Sequence, residues 1–396
     1  MAAHRPKHKL ESFTLYMAPY YRKSPFWNST VDAGCTSWDV CNHSLIPNQY
    51  PTDELTEYWH LVNEVSVWDV NCERQVEITG PDAAEFTQLL ISRDLSALAV
   101  GQCKYVPIVA PDGGIVNDPI LLRVAENHFW LSLSNSDVLL YARGVQAFSG
   151  LDVEICEPDV SPMQIQGPKS KDVMTALFGA DHEVLSLKYY YCVETTVGDI
   201  PVVVSRTGWT GEVGYEIYLR DGARGDDLWE AVFAAGKPFN IAPGVPNDQR
   251  RIEAGILTYG CDMTIAHNPL QVTGMERLAD CLDNDVKHIG KEALQGVRDA
   301  GVSEKLVGIN VEGDAFSAWM TDFWPVESGG DLVGRVTSYT HSPRLEQNIA
   351  YAWLPINLTE EGTKIDVVSP EGTRSAAVTT LPFYDAKKQV PLGANA

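Results

Sequence analysis

Several familiar signatures are missing from this 396-residue chain. No apolar run approaches the roughly 20 residues that a membrane-spanning helix needs. The eight cysteines, Cys35, Cys41, Cys72, Cys103, Cys156, Cys192, Cys261 and Cys281, form no Cys-x-x-Cys pair and no tight cluster with histidine. That spacing argues against a zinc site and fits reduced cysteines scattered among apolar neighbours. There is no G-x-G-x-x-G dinucleotide loop, no P-loop and no G-x-S-x-G elbow. Positive charge is scarce: 30 Lys and Arg stand against 53 Asp and Glu, a net charge of −23. Such a field repels nucleic acid and anionic lipid, which sets both aside as partners. It suits a small cationic ligand, or simply keeps the chain soluble. The leading segment MAAHRPKHKLESF is basic and lacks the apolar core of a secretory signal. The expected setting is therefore a reducing cytoplasm, and the expected form a monomer or homodimer that works on a small molecule.

What is present reads as α+β. Residues 1–50 show little periodicity and read as an irregular lead-in with short helical pieces. EYWHLVNEV then reads as a helix running into the strand VSVWDV. RQVEITG alternates as a strand, and PDAAEFTQLLISRD opens a helix at Pro81-Asp82. CKYVPIVA and GIVNDPILLRVA are two strand patterns joined by a turn holding Asp112-Gly113, a strong hairpin signal. HFWLSLS follows as a third strand. The order then recurs: SPMQIQG as strand, PKSKDVMTALFG as helix, a hairpin turning at Gly198-Asp199, YEIYLR as strand and GDDLWEAVFAAG as helix. A helix-rich stretch around RRIEAGILTYG leads to the helix IGKEALQGVRDAG. Beyond Lys305 short strands and polar turns dominate, as in a small barrel. The boundary falls near 300, giving residues 1–300 as two α+β portions and 301–396 as the barrel.

Three features can bear chemistry. In GGIVNDP, Asn117 and Asp118 follow a strand entry, where a carboxylate can meet a protonated or NH-bearing heterocycle or simply cap turn amides before Pro119. In SRTGWTGEVGYEIY, residues 205–218, glycines at 208, 211 and 214 allow a flat ligand close to the backbone. Trp209 can stack on a ring or face a cation, and Glu216 can accept ring N–H groups. Finally, the first third is rich in aromatics: Tyr16, Tyr20, Tyr21, Trp27, Trp38, Trp68 and Tyr105. These can be core or a cage for a quaternary cation.

Taken in order, VWDVNCERQVEITGPDAAEF, PDGGIVNDPILLRV, IQGPK, SRTGWTGEVGYEIY, RIEAGILTYGCDM, NPLQVTG, HIGKEAL and LPFYD resemble the glycine-cleavage aminomethyltransferase superfamily over nearly the whole chain. Within it the sequence is most similar to the dimethylsulfoniopropionate demethylase branch. Asn117-Asp118-Pro119 replaces the paired aspartates of the glycine-cleavage enzymes, Asn247 stands where they usually have an arginine, and so does Asp385. The resemblance implies a three-part, cloverleaf-like fold with a C-terminal β-barrel. It implies a tetrahydrofolate cofactor contacted by Tyr105, Asp118, Trp209 and Glu216, with Asp118 catalytic beside the reactive nitrogens. It implies a small methyl donor met by Trp209, Tyr105 and Lys104, although Lys104 stands where that branch is expected to have an aromatic. No metal is expected. The implied reaction passes a methyl group from a sulfonium to folate. The rival readings are an O- or N-demethylase or an aminomethyltransferase on the same scaffold, and a folate-binding protein without catalysis.

Overall fold

The computed structural model describes residues 18–318 and 320–393, so Tyr16 lies outside the described residues. The chain folds into two sheet-centred α+β portions and a closed barrel. The first sheet has five antiparallel strands in the spatial order Glu154–Cys156, Gln75–Thr79, His128–Ser132, Ile120–Ala125, Cys103–Tyr105. Helices Ala83–Leu90 and Val138–Ser149 bury Phe86, Leu90, Val138 and Ala142 against it. The second sheet has six strands in the order Cys192–Val197, Ile200–Ser205, Gly214–Leu219, Ser161–Gln166, Val65–Asp69, Ile241–Pro243, with only the last pair parallel. Helices Ser170–Phe178 and Gly225–Gly236 cover its outer face through Val173, Met174, Leu228 and Val232. Between the sheets lies a smaller core of Cys103, Leu122, Trp130, Val203 and Tyr218.

The barrel closes six strands: Glu304–Val311, Gln347–Pro355, Asp331–Ser342, Trp324–Ser328, Lys364–Ser369 and Gly372–Thr379, the last pairing back on the first. Val307, Ile309, Val326, Ala352 and Val367 fill its interior. A further core of Leu306, Ile349, Tyr351 and Trp353 from the barrel packs on Ile115, Ile252 and Met263, which binds the barrel to the front of the molecule. Each such fully buried side chain contributes on the order of 1.5–3 kcal/mol.

Three local expectations are corrected. The lead-in holds a hairpin, Ser37–Cys41 with Ser44–Gln49, turning at Asn42 and His43, whose φ angles are 49° and 62°. Its turn lacks the Asn-Gly signature, and Pro47 interrupts the strand pattern. The barrel strand Trp324–Ser328 was hidden by Pro325 in its second position. Around RRIEAGILTYG only Asp248–Glu253 is α-helical, because Gly255 turns the chain with φ +72°. Among the described residues, no helix is long and apolar enough to cross a membrane.

Candidate active site

The long hairpin of the first portion is broken in the middle. Ile108–Val109 pairs with Ile115–Asn117, and Cys103–Tyr105 pairs with Ile120–Ala125. Between them stand Val106-Pro107 on one side and Asp118-Pro119 on the other. A proline has no N–H to give to a ladder, so two facing prolines interrupt it. The break leaves Asp118 free of the strand pattern and turns it into the interior, 6% exposed. Its Oδ2 accepts the Tyr105 hydroxyl at 2.8 Å and its Oδ1 the Ser134 hydroxyl at 2.6 Å. Asn117 holds the Ser134 loop in place: it donates to Ser134 O (3.0 Å) and Ser136 Oγ (2.7 Å) and accepts Ser134 N–H (3.1 Å). Asn42, from the unexpected hairpin, donates to the same Ser134 carbonyl at 2.8 Å.

Burial pushes the Asp118 carboxyl up to about 6, against the opposing pull of the Ser134 and Tyr105 hydrogen bonds. The Tyr105 phenol is raised well above its usual range by burial and by Asp118 itself. It stays protonated and donates. Tyr259, raised to about 12 by burial and then by Asp118, donates to Ile115 O at 2.9 Å.

Glu216 lies on Gly214–Leu219 directly opposite Gln164 of Ser161–Gln166. Its carboxyl accepts Gln164 Nε2 (2.8 Å), the Tyr218 hydroxyl (2.9 Å), the Thr207 hydroxyl, and the Ser205 hydroxyl at 3.4 Å. Burial raises it above the ordinary carboxylate range while these donors pull it down. Trp209 joins the same group: its backbone N–H donates to Gln164 Oε1 at 3.3 Å.

The glycines of residues 205–218 serve a different purpose from the expected one. A Cβ at Gly208 or Gly214 would fall 2.3 or 2.5 Å from the Gln166 carboxamide, and one at Gly211 would fall 2.4 Å from Ala254 Cβ. They make room for the chain's own side chains. Gln166, wholly buried, uses that room to donate to Thr207 O and Tyr215 O, both at 3.1 Å.

Among the described residues, the aromatics of the first third do not converge on one cage. Trp27 and Trp38 stack on each other at 4.8 Å, with the Lys23 ammonium over Trp27. Tyr20 packs on Tyr21, Trp68 packs with Leu61, Val70 and Trp209, and Tyr105 sits on Asp118. Lys104 points away from Tyr105, as successive strand residues do, and donates to Asp94 O at 2.9 Å. Burial lowers its ammonium below the usual range. Asn247 caps helix Asp248–Glu253 by accepting Arg250 N–H at 2.8 Å, and Asp385 accepts Gln389 N–H and Val390 N–H, each at 2.8 Å.

The sequence reading missed the cation beside Trp209. The Arg251 guanidinium lies 5.6 Å from the Trp209 ring centroid and 5.8 Å from that of Tyr351. Arg251 pairs with wholly buried Asp262 (2.9 Å) and with Asp248 (2.7 Å). One face of Trp209 thus already holds a cation, and a second on that face would be repelled. Gln164 and Ser134 were missed as well. A signal for Gln164 existed, since amides at 164 and 166 recur with period two in an otherwise apolar strand. Among the described residues no group of three His, Cys, Asp or Glu side chains is arranged to hold a metal ion.

Comparison with known proteins shows family and fold. The glycine cleavage T-protein (GCVT) N-terminal domain matches residues 26–281, and the glycine cleavage T-protein C-terminal barrel domain matches residues 304–385. The dimethylsulfoniopropionate demethylase DmdA of Ruegeria pomeroyi is 36% identical over 90% of this chain and 96% of its own length. An aminomethyltransferase of Symbiobacterium thermophilum is 32% identical over 86% of this chain and 91% of its own. The crystal structure of the glycine cleavage system aminomethyltransferase T from Bartonella henselae superimposes with a TM-score of 0.81 at 22% identity, covering 92% of this chain and 98% of that one, which shows the shared fold.

Proposed function

The chain belongs to the glycine cleavage T-protein family of tetrahydrofolate-dependent one-carbon transferases, and on that premise we propose that it demethylates dimethylsulfoniopropionate, giving methylmercaptopropionate and 5-methyltetrahydrofolate. The observation behind this reading is the Asp118 carboxyl, buried and clasped between Ser134 and Tyr105, with its pKa at about 6. The donors and acceptors present suit a reduced folate: Glu216 as a buried acceptor for ring N–H groups, and Asp118 as a second carboxylate for ring nitrogens.

A bound tetrahydrofolate supplies the nucleophilic nitrogen that takes the methyl group. The chain's part is to hold the reactants in line, which can lower a barrier by about 7–11 kcal/mol. At pH 7 a carboxyl titrating near 6 is ionised in roughly nine molecules of ten. Asp118 therefore stabilises positive charge that builds beside it and takes the proton that the nitrogen releases. The C–S bond breaks with its electron pair kept by sulfur, so the thioether leaves neutral and needs no acid. That suits this site, because the phenol nearest Asp118 already donates to it. An aromatic ether would leave as a phenolate and would need a free proton donor.

The alternatives are a tetrahydrofolate-dependent O- or N-demethylase and an aminomethyltransferase, the last favoured by the 32% identical relative. The test incubates the protein and tetrahydrofolate with dimethylsulfoniopropionate, a methoxylated aromatic acid, a methylated glycine and an aminomethyl donor, and follows folate products by mass spectrometry. 5-Methyltetrahydrofolate should form with the sulfonium alone. Product from another donor would replace the substrate assignment and keep the family.

A further inference from the structure

Glu216 has a carboxyl neighbour, Glu73, which follows strand Val65–Asp69 and precedes Gln75–Thr79, and so sits where the chain passes from one sheet to the other. The amide nitrogen of Gln164 reaches both carboxyls, Glu216 Oε1 at 2.8 Å and Glu73 Oε1 at 3.2 Å. Its orientation is fixed, because the amide oxygen accepts the Trp209 N–H. The two acids are unequally supported. Among the described residues Glu216 has four donors, whereas Glu73 has Gln164 and a 3.4 Å contact from Ser132 Oγ. A separate observation points to the same corner. Gln75 is 1% exposed and donates to Ser132 Oγ at 2.9 Å and to Glu73 O at 2.6 Å, yet its amide oxygen has no partner among the described residues. A carboxyl with so few donors, in a corner that also leaves a buried acceptor unpartnered, favours carrying a proton.

Resting on the folate reading above, we propose that Glu73 is a positioning residue for the folate ring: it shares one proton with Glu216 across Gln164, stays neutral itself, and leaves Glu216 as the single charged acceptor for the ring N–H groups. Two carboxylates on one amide nitrogen repel too strongly for both to ionise, and the proton settles on the one with fewer donors. The groups that bear on the pair are Tyr218, Tyr189 and Tyr190 with Cys41, Cys72 and Cys103. Burial and the charge of Glu216 both push Glu73 well above the usual range. A ring seated over the pair excludes water and makes ionising Glu73 harder still. The complex therefore holds the proton to higher pH than the free protein, and folate affinity falls as pH rises through the free protein's value, by up to tenfold per unit.

The experiment has two arms. Glutamate-13C NMR of the ligand-free protein should show one carboxyl titrating well above the others, absent in Glu73→Gln. Calorimetry with tetrahydrofolate under anaerobic conditions from pH 6 to 9 should show wild-type affinity falling at the alkaline end. Glu73→Gln, which imitates the neutral acid, should match wild type within about threefold at pH 6 and lose the alkaline fall. A wild-type NMR titration with every glutamate in the ordinary range overturns the proposal, as does an alkaline fall that persists in Glu73→Gln. Failure of wild type to bind tetrahydrofolate at any pH would overturn the folate reading, while the NMR arm would still decide whether the shared proton exists.

Discussion

The Tyr105 hydroxyl donates to the Asp118 carboxylate over 2.8 Å across a gap that two prolines open in one hairpin. The pair exists because the ladder stops at Pro107 and Pro119, which lets a strand residue and a loop residue meet inside the protein. Asp118→Asn should keep the shape and lose the charge. Turnover should fall on the order of 10²–10³, while folate binding measured by calorimetry changes far less. Normal turnover in this variant would remove Asp118 from the chemistry.

The pH dependence follows from the same carboxyl. With its pKa at about 6, the rate should rise with pH through that value and level off above 7. Tyr105→Phe deletes a hydrogen bond that lowers the value, so its acid limb should move to higher pH. The effect on stability has the opposite sign. A folded value raised from 3.8 to about 6 makes the protein bind a proton that the unfolded chain has released. This contribution is fully present below 3.8 and is lost as pH rises through about 6, leaving on the order of 3 kcal/mol of cost at pH 8. Asp118→Asn should therefore melt no lower than wild type at pH 8 by differential scanning fluorimetry, despite its lost activity.

His267 ties the barrel to the hairpin that carries Asp118. It stacks on Trp353 at 4.1 Å, its carbonyl accepts Ile115 N–H at 2.8 Å, and its Nε2 lies 3.1 Å from Arg335. Burial, then Arg335, lowers it to about 4. The folded protein therefore keeps His267 neutral where the unfolded chain protonates it, and stability is lost as pH falls from 6.5 toward 4. After allowance for solvent screening this is about 1–2 kcal/mol. Urea titrations at pH 7 and pH 5 should show a smaller acid loss in His267→Gln than in wild type.

Asp262 is buried among four donors: Arg251 Nη1 (2.9 Å), Thr258 N–H (2.8 Å), Thr337 Oγ1 (2.7 Å) and Ser338 Oγ (2.6 Å). Asp262→Ala should cost about 3–5 kcal/mol, because it takes from Arg251 its buried partner and leaves it the half-exposed Asp248. It should also release Arg251 from its place over Trp209. Tryptophan fluorescence at low urea, together with the unfolding midpoint, checks both.

Gly208→Ala separates the two purposes a glycine can have here. The new Cβ would strike the Gln166 carboxamide, so stability should fall by about 2–3 kcal/mol. Adding Gln166→Ala should cost less than the sum of the single changes. Purely additive losses would mean that the glycine makes room for something else.

The sequence by itself determined the α+β class, the barrel beyond residue 300, the order of most strands and helices, and the family. These rest on local periodicity and on motifs in a fixed order, both written along the chain. Asp118, Glu216 and Trp209 were legible as candidates because each stands in a segment unusual for its composition. Tertiary structure alone decided who their partners are. Ser134 reaches Asp118 through Asn117 and Asn42, Gln164 joins Glu216 to Trp209, and Arg251 occupies the face of Trp209 that the sequence left open for a cation. Those pairings join residues 16 to 92 positions apart. Burial then sets their charge states, since removing water raises Asp118 to about 6 and lowers His267 to about 4. No pattern along the chain encodes how much water a side chain will lose, because that depends on which other segments fold over it.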